Sequence, residues 1–83
     1  MKKYLVGVYL PALGKNYDVY LPAAKQIGEA TGLVVRIAES LSGGNYMGTA
    51  ESMLLSADSG EPFEQSETVY DAGIRNSSKL ILI

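Results

Sequence analysis

Thr68-Val69-Tyr70-Asp71-Ala72-Gly73-Ile74-Arg75-Asn76-Ser77-Ser78-Lys79-Leu80-Ile81-Leu82-Ile83 is the stretch that decides the fold. Val69 is an apolar anchor for a short helical turn. Gly73 permits a positive φ that a β-carbon would oppose, and Ile74 then turns back toward a core. Asn76-Ser77-Ser78 has the chemistry of a tight turn. Leu80 and Leu82 alternate with Ile81 and Ile83, so the two leucines share one face of a closing strand.

Working outward, Tyr4 to Leu10 is rich in β-branched and aromatic residues and predicts a first strand. Pro11 to Asn16 is a turn, in which Pro interrupts the ladder. Tyr17 to Leu21 predicts the return strand, with Tyr17, Val19 and Leu21 on one face and Asp18 and Tyr20 on the other. Beyond Pro22, Ile27, Ala30, Val34, Ile37, Ala38 and Leu41 fall on one side of a helical wheel. This is the apolar stripe of an amphipathic helix from Ala24 to Leu41, expected to bury Ile27, Val34, Ala38 and Leu41. Gly28 and Gly32 weaken that helix intrinsically, so packing has to hold it. Ser42-Gly43-Gly44 stops it. Asn45 to Ser52 is a loop, Met53-Leu54-Leu55 a short buried strand, and Glu61 to Glu64 a poor edge strand with Phe63 as its apolar anchor.

Strands at both ends and one crossover helix give the order ββαββ. The fold class expected is α+β, a β-grasp whose mixed sheet carries the helix on one face, with the first and last strands parallel at its centre. Eighty-three residues form one domain, 1–83, with a thin core. A hydrophobic content of 47% excludes disorder. The net charge of −2 and scattered basic residues argue against nucleic acid, which needs clustered cations. No stretch approaches the length of a membrane span. The apolar run at the N-terminus stops at Leu13 without a clear cleavage site and suits a strand better than a signal peptide.

With that order in place, the chain resembles the YukD/EsaB group of small ubiquitin-like proteins, which accompany the WXG100, or type VII-like, secretion systems of Gram-positive bacteria. Tyr17-Asp18-Val19-Tyr20-Leu21-Pro22-Ala23 looks like the group's second strand and its Pro-led entry to the helix. Ile27 with the apolar helix follows, and Met53-Leu54-Leu55 fits the third strand. Val69 to Ile74 and Lys79 to Leu82 look like the closing L-x-x-x-G-I … L-x-L pattern. Similar domains stand at the N-terminus of a membrane component of the actinobacterial systems. The resemblance implies a ubiquitin-like fold, a cytoplasmic location and a protein partner from a secretion machine. It implies no cofactor and no catalytic residue. Two departures stand out. The Ser42–Gly48 loop is glycine-rich. The first strand is apolar on both faces, Tyr4, Val6, Val8 and Leu10 on one and Leu5 and Tyr9 on the other. Apolar count favours Val6 and Val8 inward, whereas an ungapped match to the group's hairpin places Leu5, Gly7 and Tyr9 inward. A slip of one residue inverts every side chain.

The sequence has no His and no Cys, which removes Ser-His-Asp and Cys-His constellations and zinc sites of the usual kind. Glu61, Glu64, Glu67 and Asp71 lack the spacing of a calcium loop and read as a solvated acidic edge. Ser42 to Gly48 lacks the Gly-Lys-Ser/Thr of a phosphate loop. Asn76-Ser77-Ser78 fits a glycosylation sequon but sits in a turn. What remains is the sheet face away from the helix. With Val19, Met53, Leu55, Leu80 and Leu82 inward, Tyr20, Leu54 and Ile81 point outward as an apolar protein-binding site, for a secretion component or a second copy of the chain. The function expected is that of a non-enzymatic ubiquitin-like adaptor that binds without conjugation. A sulfur carrier or conjugated modifier, which requires a Gly-Gly terminus where this sequence has Leu82-Ile83, and an extracellular β-grasp binding module are the alternatives.

Overall fold

The computed structural model describes residues 2–83; Met1, the first residue of the expected domain, lies outside the described residues. The elements are β1 (Lys3–Leu10), β2 (Lys15–Pro22), α1 (Ile27–Leu41), β3 (Leu54–Ser56) and β4 (Lys79–Leu82). They build one four-stranded sheet in the order β2-β1-β4-β3. β1 and β2 form an antiparallel hairpin paired from Lys3↔Pro22 to Leu10↔Lys15. Its turn is closed by Leu13 N–H and Gly14 N–H donating to the Leu10 carbonyl, with Gly14 in the left-handed region at φ 63°. β4 runs parallel to β1, with Gly7↔Lys79 and Tyr9↔Ile81 in register. The expected central parallel pair and the β-grasp topology are therefore present.

The ambiguous facing of β1 resolves to the arrangement with more buried apolar surface: Tyr4, Val6, Val8 and Leu10 are buried. They join Val19 and Leu21 of β2, Leu54, Leu80 and Leu82, and the helix residues Ile27, Ala30, Val34 and Ala38 in one core. The pairings Val6↔Val19, Val8↔Leu80 and Leu54↔Leu82 place these residues side by side on the inner face.

The helix begins at Ile27 rather than Ala24. Pro22 to Gln26 instead lead into a bridge between Gln26 and Thr68. The 65–68 segment supplies what a helix N-terminus lacks. Ile27 N–H donates to the Glu67 carbonyl at 2.8 Å and Gly28 N–H to the Gln65 carbonyl at 3.1 Å. Two orphan amides are thereby satisfied by a distant loop rather than by an N-cap side chain. Thr31 is buried, but its hydroxyl donates to the Ile27 carbonyl at 2.8 Å. At the other end Leu41 is 57% exposed, which corrects the expectation that it is buried. The stripe leaves the core after Ala38, and Tyr46 of the following loop enters the core instead. Val34, 1% exposed, faces the sheet. Val34→Ala should lower stability by roughly 1–3 kcal/mol through the cavity it leaves, read as a shift in urea midpoint at constant slope.

The third strand is shifted by one residue from Met53-Leu54-Leu55 to Leu54–Ser56, and this inverts its facing. Leu54 pairs with Leu82 and is fully buried, while Leu55 pairs with Ile81 and points away from the core. The assignment of Leu54 to the outer face is thus overturned. The cause is the antiparallel register with β4, whose Leu80 and Leu82 are inward as expected and force every second β3 residue inward with them. The Glu61–Glu64 segment makes a single bridge, Leu55↔Pro62, rather than a strand. Phe63 packs half-buried against the core, as its role as an anchor requires.

The closing stretch folds as its composition indicates. Ala72 N–H donates to Thr68 O, Gly73 N–H to Tyr70 O and Ile74 N–H to Val69 O, which makes one helical turn ended by Gly73 at φ 85°. Val69 and Ile74 are buried. The next turn is closed by Ser78 N–H to Arg75 O, with Ser77 at φ 70°. Asn76 Oδ1 accepts the Leu5 N–H at 2.9 Å, and Ser77 N–H donates to the Leu5 carbonyl at 2.8 Å. The turn thus continues the β1–β4 pairing toward the start of β1, with a side-chain oxygen standing in for a main-chain carbonyl.

Candidate protein-docking face

Because α1 covers one side of the sheet, the residues between the buried positions form an open side. Cross-strand register arranges them in three rows. Tyr20 lies opposite Leu5. Asp18, Gly7 and Lys79 form the next row, and Asn16, Tyr9, Ile81 and Leu55 the last. Exposure follows this order: Tyr20 is 62% exposed, Leu5 39%, Tyr9 38%, and Ile81 and Leu55 are half-buried.

Of the three residues proposed from sequence, Tyr20 and Ile81 are on the open side and Leu54 is in the core. The structure does not bring Tyr20 and Ile81 together. Leu5 and Tyr9 are four residues apart on β1, about 13 Å at 3.3 Å per residue. The polar row Asp18-Gly7-Lys79 lies between them. At Gly7 the missing side chain leaves a depression of about 240 Å³, walled by Leu5, Asp18, Ser77 and Lys79. The face is therefore two apolar groups, Tyr20 with Leu5 and Tyr9 with Ile81 and Leu55, on either side of a polar notch. Leu5 and Tyr9 alternate visibly with the inward residues, but their membership required the facing of β1. Leu55 required the register of β3.

This geometry can bury apolar area against another protein and orient it by the charges of Asp18 and Lys79. Among the described residues no group of three or more His, Cys, Asp or Glu side chains is placed to hold a metal ion. Nor is any helix among them long and apolar enough to cross a membrane.

A mixed β-grasp sheet with a single helix across one face and a solvent-open opposite face is the architecture of a ubiquitin-like domain. Among solved structures, the chain is similar to the ubiquitin-like domain of EccD5 from Mycobacterium xenopi, with a TM-score of 0.82 and 16% identity over 100% of this chain and 94% of that one. The ubiquitin-like domain of the Mycobacterium tuberculosis type VII secretion protein EccD1 gives 0.79 and 21% identity over 100% and 99%. A chain of the MycP5-free ESX-5 inner membrane complex gives 0.83 and 18%, with all of this chain spanning 21% of that one. At these identities the likeness establishes the fold. No family model matches the sequence, and no curated protein does either.

Proposed function

We propose that residues 1–83 are a ubiquitin-like adaptor unit of a type VII-like secretion system, of the YukD/EsaB kind or its relative in a larger component, and that it works by binding a protein partner without conjugation. The observation that carries this reading is the end-to-end superposition on ubiquitin-like domains of two EccD proteins, one of them the type VII secretion protein EccD1. In that setting the partner is a component of the secretion machine on its cytoplasmic side, and the Tyr9–Ile81–Leu55 group is the contact. A second copy of the chain is the competing occupant.

The closing strand belongs to the folded sheet: Leu80 and Leu82 are buried, and Ile83 exchanges both main-chain hydrogen bonds with Met53 at 3.1 and 3.2 Å.

The test is complementation in the native host. Deleting the gene should reduce export of the system's substrates, and the wild-type chain should restore it. A Tyr9→Ala/Leu55→Ser variant, with an unchanged circular-dichroism spectrum, should restore it poorly. Full export without the gene would refute the secretion assignment. Full rescue by the variant would refute the docking face alone. Isopeptide-linked adducts of this chain in host lysates would refute binding without conjugation.

A further inference from the structure

The open sheet face leaves one polar cluster unused. It lies where the 69–78 segment meets the start of β1. Arg75 Nη1 donates two hydrogen bonds to main-chain carbonyls, Tyr70 O at 2.9 Å and Ile74 O at 2.7 Å. Its guanidinium carbon lies over the Tyr70 ring at 3.9 Å from the centroid and over the Tyr4 ring at 5.5 Å. Lys2 Nζ is 5.6 Å from the same Tyr4 centroid. Tyr4 itself is buried, and its hydroxyl makes no hydrogen bond among the described residues. The ring, not the hydroxyl, is what this corner uses. Tyr70 is half exposed and Arg75 is exposed.

A guanidinium carries five donors in a rigid fork. Nη1 spends both of its hydrogens on carbonyls, and the ring of Tyr70 covers one flat face. The edge formed by Nε and Nη2 makes no hydrogen bond among the described residues. That edge has the spacing of a carboxylate, which it grips with two parallel bonds. The usual cost of such a grip is the freezing of a long side chain. Here the stack and the two carbonyl bonds have already frozen it. The surroundings favour an anion too, since Lys2 Nζ, over the same Tyr4 ring, adds a second positive charge to this corner. Tyr and Arg are also among the residue types enriched where protein contacts are anchored.

We propose that the Arg75 guanidinium, stacked on Tyr70 beside Tyr4 and Lys2, is a docking point for a carboxylate side chain of a partner protein. This site lies apart from the Tyr9–Ile81–Leu55 group and does not depend on the secretion assignment. Its chemistry is that of an acidic peptide segment.

The experiment is a titration of the ¹⁵N-labelled chain with a blocked peptide of alternating Glu and Gly, with a Gln-for-Glu peptide as control. Saturable shifts are expected at the Arg75 Nε–H and at the Tyr70 main-chain amide, and none with the Gln peptide. Arg75→Lys keeps the charge but loses the fork, and should weaken binding roughly five- to ten-fold. Tyr70→Leu, which removes the stack and leaves Arg75 in place, should weaken it several-fold. Thermal melts of each variant separate loss of binding from loss of fold. If Arg75→Lys does not fold, the Tyr70→Leu comparison decides. Equal binding by the folded variants would overturn the proposal. So would shifts at Arg75 produced by phosphatidylserine vesicles and not by the Glu peptide, which would assign the corner to a lipid surface.

Discussion

Leu54→Asp is expected to leave no folded population, while Leu55→Asp, one residue along, is expected to fold. Leu54 is fully buried opposite Leu82, on the inner face of the edge strand β3. Removing a buried leucine costs about 2–5 kcal/mol by itself. The Asp adds a charge in a site with no cation to pair it, and that penalty is larger still. A domain of this size has only roughly 4–12 kcal/mol of stability to lose. Leu55 faces the open side with Ile81, so an Asp there reaches water and removes only partly buried area. Far-UV circular dichroism with urea melts distinguishes the pair. Two folded variants, or two unfolded ones, would show that β3 is not registered on β4 as described. The folded Leu55→Asp chain then serves as the reagent for the docking face, since its charge sits where an apolar partner would have to bind.

The second large effect is expected at a glycine in the loop after the helix. Gly48 lies against α1, and a β-carbon there would run into Val35 Cγ1, with Val35 Cγ2 at 3.3 Å and Ser52 Oγ at 3.4 Å. Val35 cannot easily move aside, because a β-branched side chain has essentially one χ1 rotamer in a helix. The loop is also tied down beside that point. Gly48 N–H donates to Glu39 Oε2 at 2.9 Å, Thr49 N–H to Ser52 Oγ at 2.9 Å, and Tyr46 N–H to Ser42 Oγ at 3.0 Å. Gly48→Ala should therefore destabilise by roughly 1–3 kcal/mol, the cost of overpacking. Gly32 is the internal control. It lies in α1, three residues before Val35, and a β-carbon there would meet nothing within 4 Å. Gly32→Ala should stabilise by about 0.5–1 kcal/mol, through the lower conformational freedom of the unfolded chain. Melts of the two variants should move in opposite directions. A stable Gly48→Ala chain would mean that the loop does not lie on the helix.

Much of the fold was legible from local chemistry. The run from Tyr4 to Leu10 marks a strand, though one apolar on both faces whose inner side needed the packed sheet to settle it. The alternation of Leu80 and Leu82 marks a strand and its inner face, because a strand with one face covered must alternate. Gly73 and Asn76-Ser77-Ser78 mark turns because few residues tolerate the backbone they require, and Gly73 and Ser77 both have positive φ. The stripe of Ile27, Ala30, Val34 and Ala38 marks the helix and its buried side. These are properties of neighbours in sequence, and they were sufficient for the order ββαββ and for the parallel central pair.

What local chemistry did not determine was settled by partners far away in the chain. Met53-Leu54-Leu55 is apolar at every position, so nothing within it selects which residue faces in. The choice belongs to Leu82, and with it went the placement of Leu54. The helix start depends on the Gln65 and Glu67 carbonyls, which no pattern near Ala24 reveals. Tyr46 looked like a loop residue because the segment around it is polar and glycine-rich, yet the absence of a side chain at Gly48 lets that loop lie on α1 and bury it. The stacking of Arg75 on Tyr70 and Tyr4 joins residues that are 71 positions apart at their extremes, and only the closure of β4 onto β1 brings them together. Local sequence was enough for the hairpin, the helical stripe, the closing turns and the last strand, since these follow from bond rotation and burial within a few residues. It was not enough for the helix start or for Glu61–Glu64, which makes one bridge where an edge strand was expected. The tertiary structure alone decided the facing of the doubly apolar strand β3 and the composition of both candidate surfaces, since these depend on register between strands whose pairing energies come from contacts remote in sequence.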